Sequence, residues 1–330
     1  MNHPPYRDPY EVVDELGRLT TLDAGPLTGG LRLRAVHGSP ATETSFKSIL
    51  GLGLLLLARE RGLLAEGQPV IESTSGSLGL GLAVAGRMLG HPVHLVSDPG
   101  IPEVTRLKIE LAGGILHLIE RPHPVLGTQQ ARDDLLQSML EQHPEFYWTN
   151  QNDSPLNPEV YTRWVVPHLM RTLDFSRIVA GIFCVGSGGH FSALSAMLDG
   201  KGIPSYVADR HGSITFGGEP APSILRGTGN QNRIPAVIEA ARSRVAGVYR
   251  VSDDEACAGV RQLCTRGISV GGSSGVCYVG AQRLAADLVR LTGAGGSGQP
   301  GADGEILTFF ADRGELYGTT LLNCGEKSTP

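Results

Sequence analysis

Residues 70–89 read V-I-E-S-T-S-G-S-L-G-L-G-L-A-V-A-G-R-M-L: a short apolar strand, a run of hydroxyls and glycines, then an apolar helix. A helix N-terminus leaves backbone N–H groups unpaired and carries a partial positive charge. Gly76 and Gly79 let the chain turn there, and three serines with Thr74 add donors. Two readings fit the segment. It is either a pocket for a carboxylate or phosphate, or a polar βα turn closed by an N-cap serine.

Outward from this stretch, short apolar strands alternate with longer helical patterns, the signature of an α/β fold with a mostly parallel sheet flanked by helices. Strands are expected over 70–72, 92–97, 114–118, 178–185, 205–209 and 305–311. Helices are expected over 47–61, 78–89, 102–111, 129–142 and 191–198. At 330 residues the chain is long enough for two lobes. Hydrophobic residues at 41% and charged ones at 18% describe an ordinary folded protein, and the longest apolar run, 49–58, is too short to span a bilayer. A net charge of −5 without a basic stripe argues against nucleic acid. M-N-H-P-P-Y-R-D-P-Y lacks the pattern of a secretion signal, so the cytoplasm is the expected compartment. Five cysteines without C-x-x-C spacing suggest reduced, packed thiols. Two stretches break the rhythm. Q-N-D-S-P-L-N-P at 151–158 reads as a domain crossing or a substrate-lining loop, and the glycine-rich 292–304 as a flexible surface insertion.

Lysine is scarce, with only Lys47, Lys108, Lys201 and Lys327. Lys47 stands out because Phe46 precedes it and the apolar run follows. Desolvation there would lower its pKa and suit a Schiff-base amine, while a lysine snorkelling from a helix start is the alternative. A second glycine turn, Gly186-Ser187-Gly188-Gly189-His190, lies between an apolar strand and a helix and has the makings of a phosphate cradle or of a tight packing turn. A dinucleotide fingerprint would need glycine where Phe191 stands. A third patch, Gly271-Gly272-Ser273-Ser274-Gly275, presents either a hydroxyl to a ligand or an N-cap. The histidines are scattered without ligand spacing, so no metal site is expected. There is no G-x-S-x-G elbow for a serine hydrolase.

In this order the pieces resemble the fold type II enzymes of pyridoxal phosphate, the cysteine synthase and cystathionine β-synthase group, over about residues 20–323. The resemblance implies a tryptophan synthase β-like fold of two domains: a smaller, mobile substrate-binding one (40–152) and a larger cofactor-binding one (1–39 and 153–330). S-F-K places Lys47 as the Schiff-base lysine and general base. Thr74-Ser75-Gly76-Ser77-Leu78-Gly79 is similar to the family's T-S-G-N-T-G loop. That likeness assigns Thr74, Ser75, Gly76 and Leu78 to the substrate carboxylate and Ser77 to the cofactor. Gly186, Ser187, Gly188, Gly189 and His190 match the turn that holds the cofactor phosphate, and Ser273 the serine facing the pyridine nitrogen. Gln151 would touch the substrate carboxylate, and D-R-G-E-L-Y at 312–317 looks like the family's ending.

The implied reaction is β-replacement on an O-activated L-serine, O-phospho- or O-acetyl-L-serine, through an α-aminoacrylate, with sulfide or an amine as nucleophile. The alternatives are a serine or threonine dehydratase-like eliminase and a non-catalytic cofactor-binding relative. The spellings E-S-T-S-G-S-L-G, V-S-D-P at 96–99, W-T-N-Q at 148–151 and G-S-I-T-F-G-G-E-P at 212–220 lean toward the branch forming 2,3-diaminopropionate precursors. For a phosphate leaving group Arg226, with Arg233 as the alternative, is the candidate cation. Partners are expected to be small amino acids, with a homodimer as the family habit. The sequence departs from the family at A-T-E-T (41–44) before the lysine, at Ser77 and Leu78 for asparagine and threonine, and at His190 for threonine.

Overall fold

A computed structural model describes residues 7–38, 45–74, 76–125, 127–293 and 304–314. The described strands form two sheets. The larger uses β1 (Thr20–Pro26), β2 (Arg32–His37), β7 (Ile178–Phe183), β8 (Ser205–Arg210), β9 (Val245–Val251) and β10 (Glu305–Phe310). Its order is β1-β2-β10-β7-β8-β9. The smaller is built within residues 70–148 from β3 (Val70–Ser73), β4 (Val93–Ser97), β5 (Ile115–Leu118) and β6 (Tyr147–Trp148), in the order β5-β4-β3-β6. Every pairing is parallel except that of β1 with β2.

The helices are α1 (Pro9–Gly17), α2 (Lys47–Glu60), α3 (Ser77–Leu89), α4 (Glu103–Leu111), α5 (Gly127–Gln142), α6 (Leu156–Trp164), α7 (Val166–Thr172), α8 (Gly189–Asp199), α9 (Ala236–Ala241), α10 (Asp253–Cys264) and α11 (Gly272–Gly293). The apolar run of α2 is buried all round, from Ile49 to Ala58, as expected of a helix enclosed by others and not of an amphipathic surface helix. It packs on α3 through bare backbone. A Cβ placed on Gly51 would fall 2.4 Å from the Gly81 carbonyl carbon, and one on Gly81 would fall 2.6 Å from the Lys47 carbonyl oxygen.

The expected strands and helices are present with ends shifted by a few residues. The segment at 151–158 is a turn followed by the start of α6, with Pro155 at the N-cap and Pro158 in the first turn, where a missing N–H costs nothing. The β1–β2 hairpin was not expected from the sequence. T-T-L-D-A-G-P has little apolar alternation, and its register shifts between Asp23 and Gly25. Cys184 and Cys277 are buried free thiols and Cys264 is an exposed one, whereas Cys257 is disulfide-bonded. The expectation of reduced thiols fails at Cys257, because a cysteine outside any C-x-x-C spacing carries no local sign of whether it pairs. Cys324, Ser75, residues 41–44 and most of 292–304 lie outside the described residues. No described helix is long and apolar enough to cross a membrane.

Candidate active site

The ends of β3 and β4, the start of α2, the turn before α8, the segment 223–231 and the start of α11 enclose a cavity of about 490 Å³. Lys47 opens α2 and turns its amine into this space. Nζ lies 3.5 Å from Ser187 Oγ. Burial pushes the amine pKa down to about 8, with Asp312, Glu72 and Cys184 pulling the other way. A fraction of the amine is therefore unprotonated near neutrality.

Opposite it stands the 73–79 loop. Gly76 has φ +147°, a conformation that side chains rarely adopt. Thr74 is buried, and its Oγ1 accepts from the N–H of Gly76 (3.1 Å) and Gly79 (3.3 Å). Two orphan donors of α3 are satisfied in this way, and the hydroxyl proton is left for another acceptor. Ser77 and Leu78 line the cavity, and Gly76 is not among its lining residues. Gln151 closes the same side, its Nε2 donating to the Ser73 carbonyl at 3.2 Å.

Glu72, which sequence reading passed over, anchors this wall. Its carboxyl accepts from Thr149 Oγ1, from the Gln151 N–H (3.1 Å) and from the Ser73 N–H (2.9 Å). Burial still raises its pKa to about 7. A glutamate at the end of an apolar strand, two residues before a hydroxyl–glycine turn, is the signal that sequence offered.

On the other side the turn 186–190 leads into α8, with Gly188 at φ +88°. Asn157 Nδ2 donates both to the Gln151 carbonyl (2.6 Å) and to Ser187 Oγ (3.1 Å), tying the two walls together. Ser187 Oγ thus accepts from Asn157 and from Lys47, so its own proton is free to serve an anion in the turn. Gly189 makes room for this strut: a Cβ there would fall 1.8 Å from Asn157 Oδ1.

The His190 ring is not available as a charged donor. It packs on Phe309 (5.0 Å), Phe46 (5.5 Å) and Tyr161 (6.3 Å) and bonds the Cys184 backbone. Burial, then Lys47, lowers its pKa to about 3. What residue 190 offers the turn is its backbone. Ser273, in the first turn of α11, and Asp312 close the cavity beyond Lys47.

Also on the lining, Arg226 pairs with Asp98, and Asp98 accepts from Arg132 as well. Arg233 pairs instead with Asp153 (2.8 Å) and does not line the cavity. Among the described residues no group of three or more histidines, cysteines or carboxylates is placed to hold a metal.

The donor set fits a phosphorylated aldehyde cofactor. An amine of lowered pKa adjoins a glycine turn at a helix start, and Ser273 lines the same cavity from another helix start. Comparisons with known proteins agree. A family described as pyridoxal-phosphate dependent enzyme matches residues 44–292. The chain is 31% identical, over 267 residues, to N-(2-amino-2-carboxyethyl)-L-glutamate synthase of Ralstonia nicotianae, covering 78% of this chain and 74% of that one. Among solved structures, an O-acetylserine dependent cystathionine β-synthase from Helicobacter pylori superposes with a TM-score of 0.79 at 23% identity, over 92% of this chain and 95% of that one. A cysteine synthase from Entamoeba histolytica superposes with a TM-score of 0.80 at 20% identity, over 100% and 94%. These two likenesses speak to the fold.

Proposed function

The chain belongs to the pyridoxal-phosphate dependent enzymes, and from that premise we propose that it is a β-replacing synthase joining an O-activated L-serine to an incoming amine or sulfide. The observation that carries the reading is the placement of the Lys47 amine, with its lowered pKa, between the Ser187 turn and the loop holding Thr74 and Ser77. The name of the Ralstonia relative supports an amino-acid amine as nucleophile, glutamate above all.

In this reading Lys47, Ser77, Ser273 and the 186–190 turn hold the cofactor, with Ser187 donating its hydroxyl to the phosphate. Bound there, pyridoxal phosphate supplies an electron sink for negative charge at the substrate α-carbon. Lys47 accepts the α-proton, a task matched to an amine titrating at about 8. Thr74, Gln151 and the N–H groups at the start of α3 orient the substrate carboxylate. Ser273 offers the pyridine nitrogen a hydroxyl and no charge, which favours loss of a β-substituent over reactions needing a longer-lived carbanion. Closure of the 40–152 unit over the cavity and a homodimeric assembly belong to the same proposal.

A donor-by-nucleophile matrix tests it: O-phosphoserine and O-acetylserine against sulfide, thiosulfate and amino acids, read by mass spectrometry. A β-substituted alanine is expected. Pyruvate and ammonia alone in every mixture would replace this reading with an eliminase, and consumption of neither donor with a non-catalytic binder.

The Asn157 strut gives a second expectation. Asn157→Ala removes two hydrogen bonds, each contributing about 1 kcal/mol, so cofactor affinity should fall about tenfold or more in a fluorescence titration of the cofactor-free protein. Unchanged affinity would deny the strut a role in shaping the turn.

A further inference from the structure

Asn150 has φ +45°, and among the described residues it is the one non-glycine residue with a positive φ. Asparagine enters that region more readily than most side chains, yet a strained corner persists only when its surroundings hold it. Glu72 holds this one. Its Oε2 accepts from Thr149 Oγ1 and from the Gln151 N–H (3.1 Å), on either side of Asn150, and its Oε1 accepts from the Ser73 N–H (2.9 Å). Glu72 is 2% exposed and is not among the residues lining the cavity, whereas Ser73, Thr74 and Gln151 are.

Gln151 carries this anchoring onward. Its side chain donates to the Ser73 carbonyl (3.2 Å), and its own carbonyl accepts from Asn157, which also donates to Ser187 Oγ (3.1 Å). A carboxylate set behind the cavity thus fixes one wall directly and reaches the opposite turn through Asn157.

The arrangement depends on the charge of Glu72. Each oxygen faces a backbone N–H, a donor that cannot turn into an acceptor. A proton on either oxygen therefore confronts one of them and breaks its bond. Burial raises the pKa of the group to about 7, so both forms are reached near neutrality. Among the described residues, Lys47 at the head of α2 and Tyr147 on β6 interact with it by charge, while Asp133 on α5 bonds Ser73.

We propose that Glu72 is a positioning residue for the substrate carboxylate: ionised, it sets the 149–151 corner and the Ser73–Thr74 backbone in the shape that grips a carboxylate, and neutral, it releases that wall. The proposal rests on the placement of the carboxylate at Thr74 and Gln151 made above. The ligand class selected is an α-amino acid over a simple amine.

The test is binding and needs no turnover. The holoenzyme is titrated with L-alanine, which carries no β leaving group, and with ethylamine, the same molecule without its carboxylate, following the visible absorbance between pH 8.5 and 5.5. Both amines stay protonated over this range, so the ratio of their dissociation constants cancels their own pH dependence. In the wild type the preference for L-alanine should fall about tenfold or more as the pH is lowered through 7. Glu72→Gln puts an N–H where the neutral acid puts an O–H, and its preference should be low and the same at every pH. A wild-type preference independent of pH, or a pH dependence that survives in folded Glu72→Gln protein, overturns the proposal. Should that variant not fold, Thr149→Val decides in its place. It removes a bond to the ionised form and should move the midpoint of the profile up by about one pH unit; an unmoved midpoint overturns the proposal. The double variant Thr74→Val, Gln151→Ala separates the two levels of the argument. A preference it leaves untouched at pH 8 overturns the carboxylate placement and the proposal together, whereas a preference it lowers, with no pH dependence in the wild type, overturns the proposal alone.

Discussion

Lys47→Met is expected to lower turnover by about 10³-fold or more, to abolish the visible absorbance of the purified protein, and to make the cofactor-free protein more stable. The last effect follows from proton linkage. The amine titrates at 10.5 in an unfolded chain and at about 8 in the fold. Between those values the unfolded state binds more protons, so this group's contribution to stability rises with pH across that window. Below about 8 the amine is charged in both states and its burial cost is felt in full, about 3 kcal/mol. Methionine, of similar length, removes that cost. Melting curves of the two cofactor-free proteins should differ most at pH 7 and converge as pH is raised from 8 toward 10.5. An equal or lower melting temperature for the variant at pH 7 would show that the wild-type amine is solvated.

Gly81→Ala should damage both the fold and the chemistry. The added carbon would lie 2.6 Å from the Lys47 carbonyl oxygen and 3.2 Å from the Ser48 Cα. These are backbone atoms that cannot swing aside, so α2 must move away from α3 as a body. Overpacking of this kind costs about 3 kcal/mol, readable as a lowered urea midpoint. Because Lys47 begins α2 and Ser77 begins α3, the same displacement separates the amine from the start of α3. A shift of about 1 Å in such an arrangement costs about 10²-fold in kcat, with KM less affected. Gly200→Ala, where a Cβ meets nothing closer than 3.6 Å, is the control expected to leave both properties in place.

What was legible in the sequence was local. Alternating strands and helices, glycine–hydroxyl turns at three helix starts and one lysine before an apolar run each signal themselves within a dozen residues, and the structure gathers them in one cavity. Partnerships across the chain were not legible. Asp98 and Arg226 stand 128 positions apart, and Thr149 is 77 positions from Glu72. Nothing in the spelling of either segment names the other. Asn157 looked like part of a proline-broken loop, yet it is a buried cross-brace. Nor does the spelling of the 186–190 turn tell that the His190 imidazole packs among Phe46, Tyr161 and Phe309.

The position of β10 has a consequence for how the protein comes to be made. This last described strand is inserted between β2 and β7, pairing in parallel with both, so until it arrives the larger sheet lies in two halves with no hydrogen bonds between them. The four-stranded sheet, by contrast, is complete once residue 148 has been synthesised. During translation the wall of the cavity that β3 and α3 build is therefore ready to fold early. The half of the cavity that Asp312 closes must wait for nearly the whole chain, and meanwhile the flanks of β2 and β7 are open strand edges, the surfaces most exposed to mispairing before folding is complete.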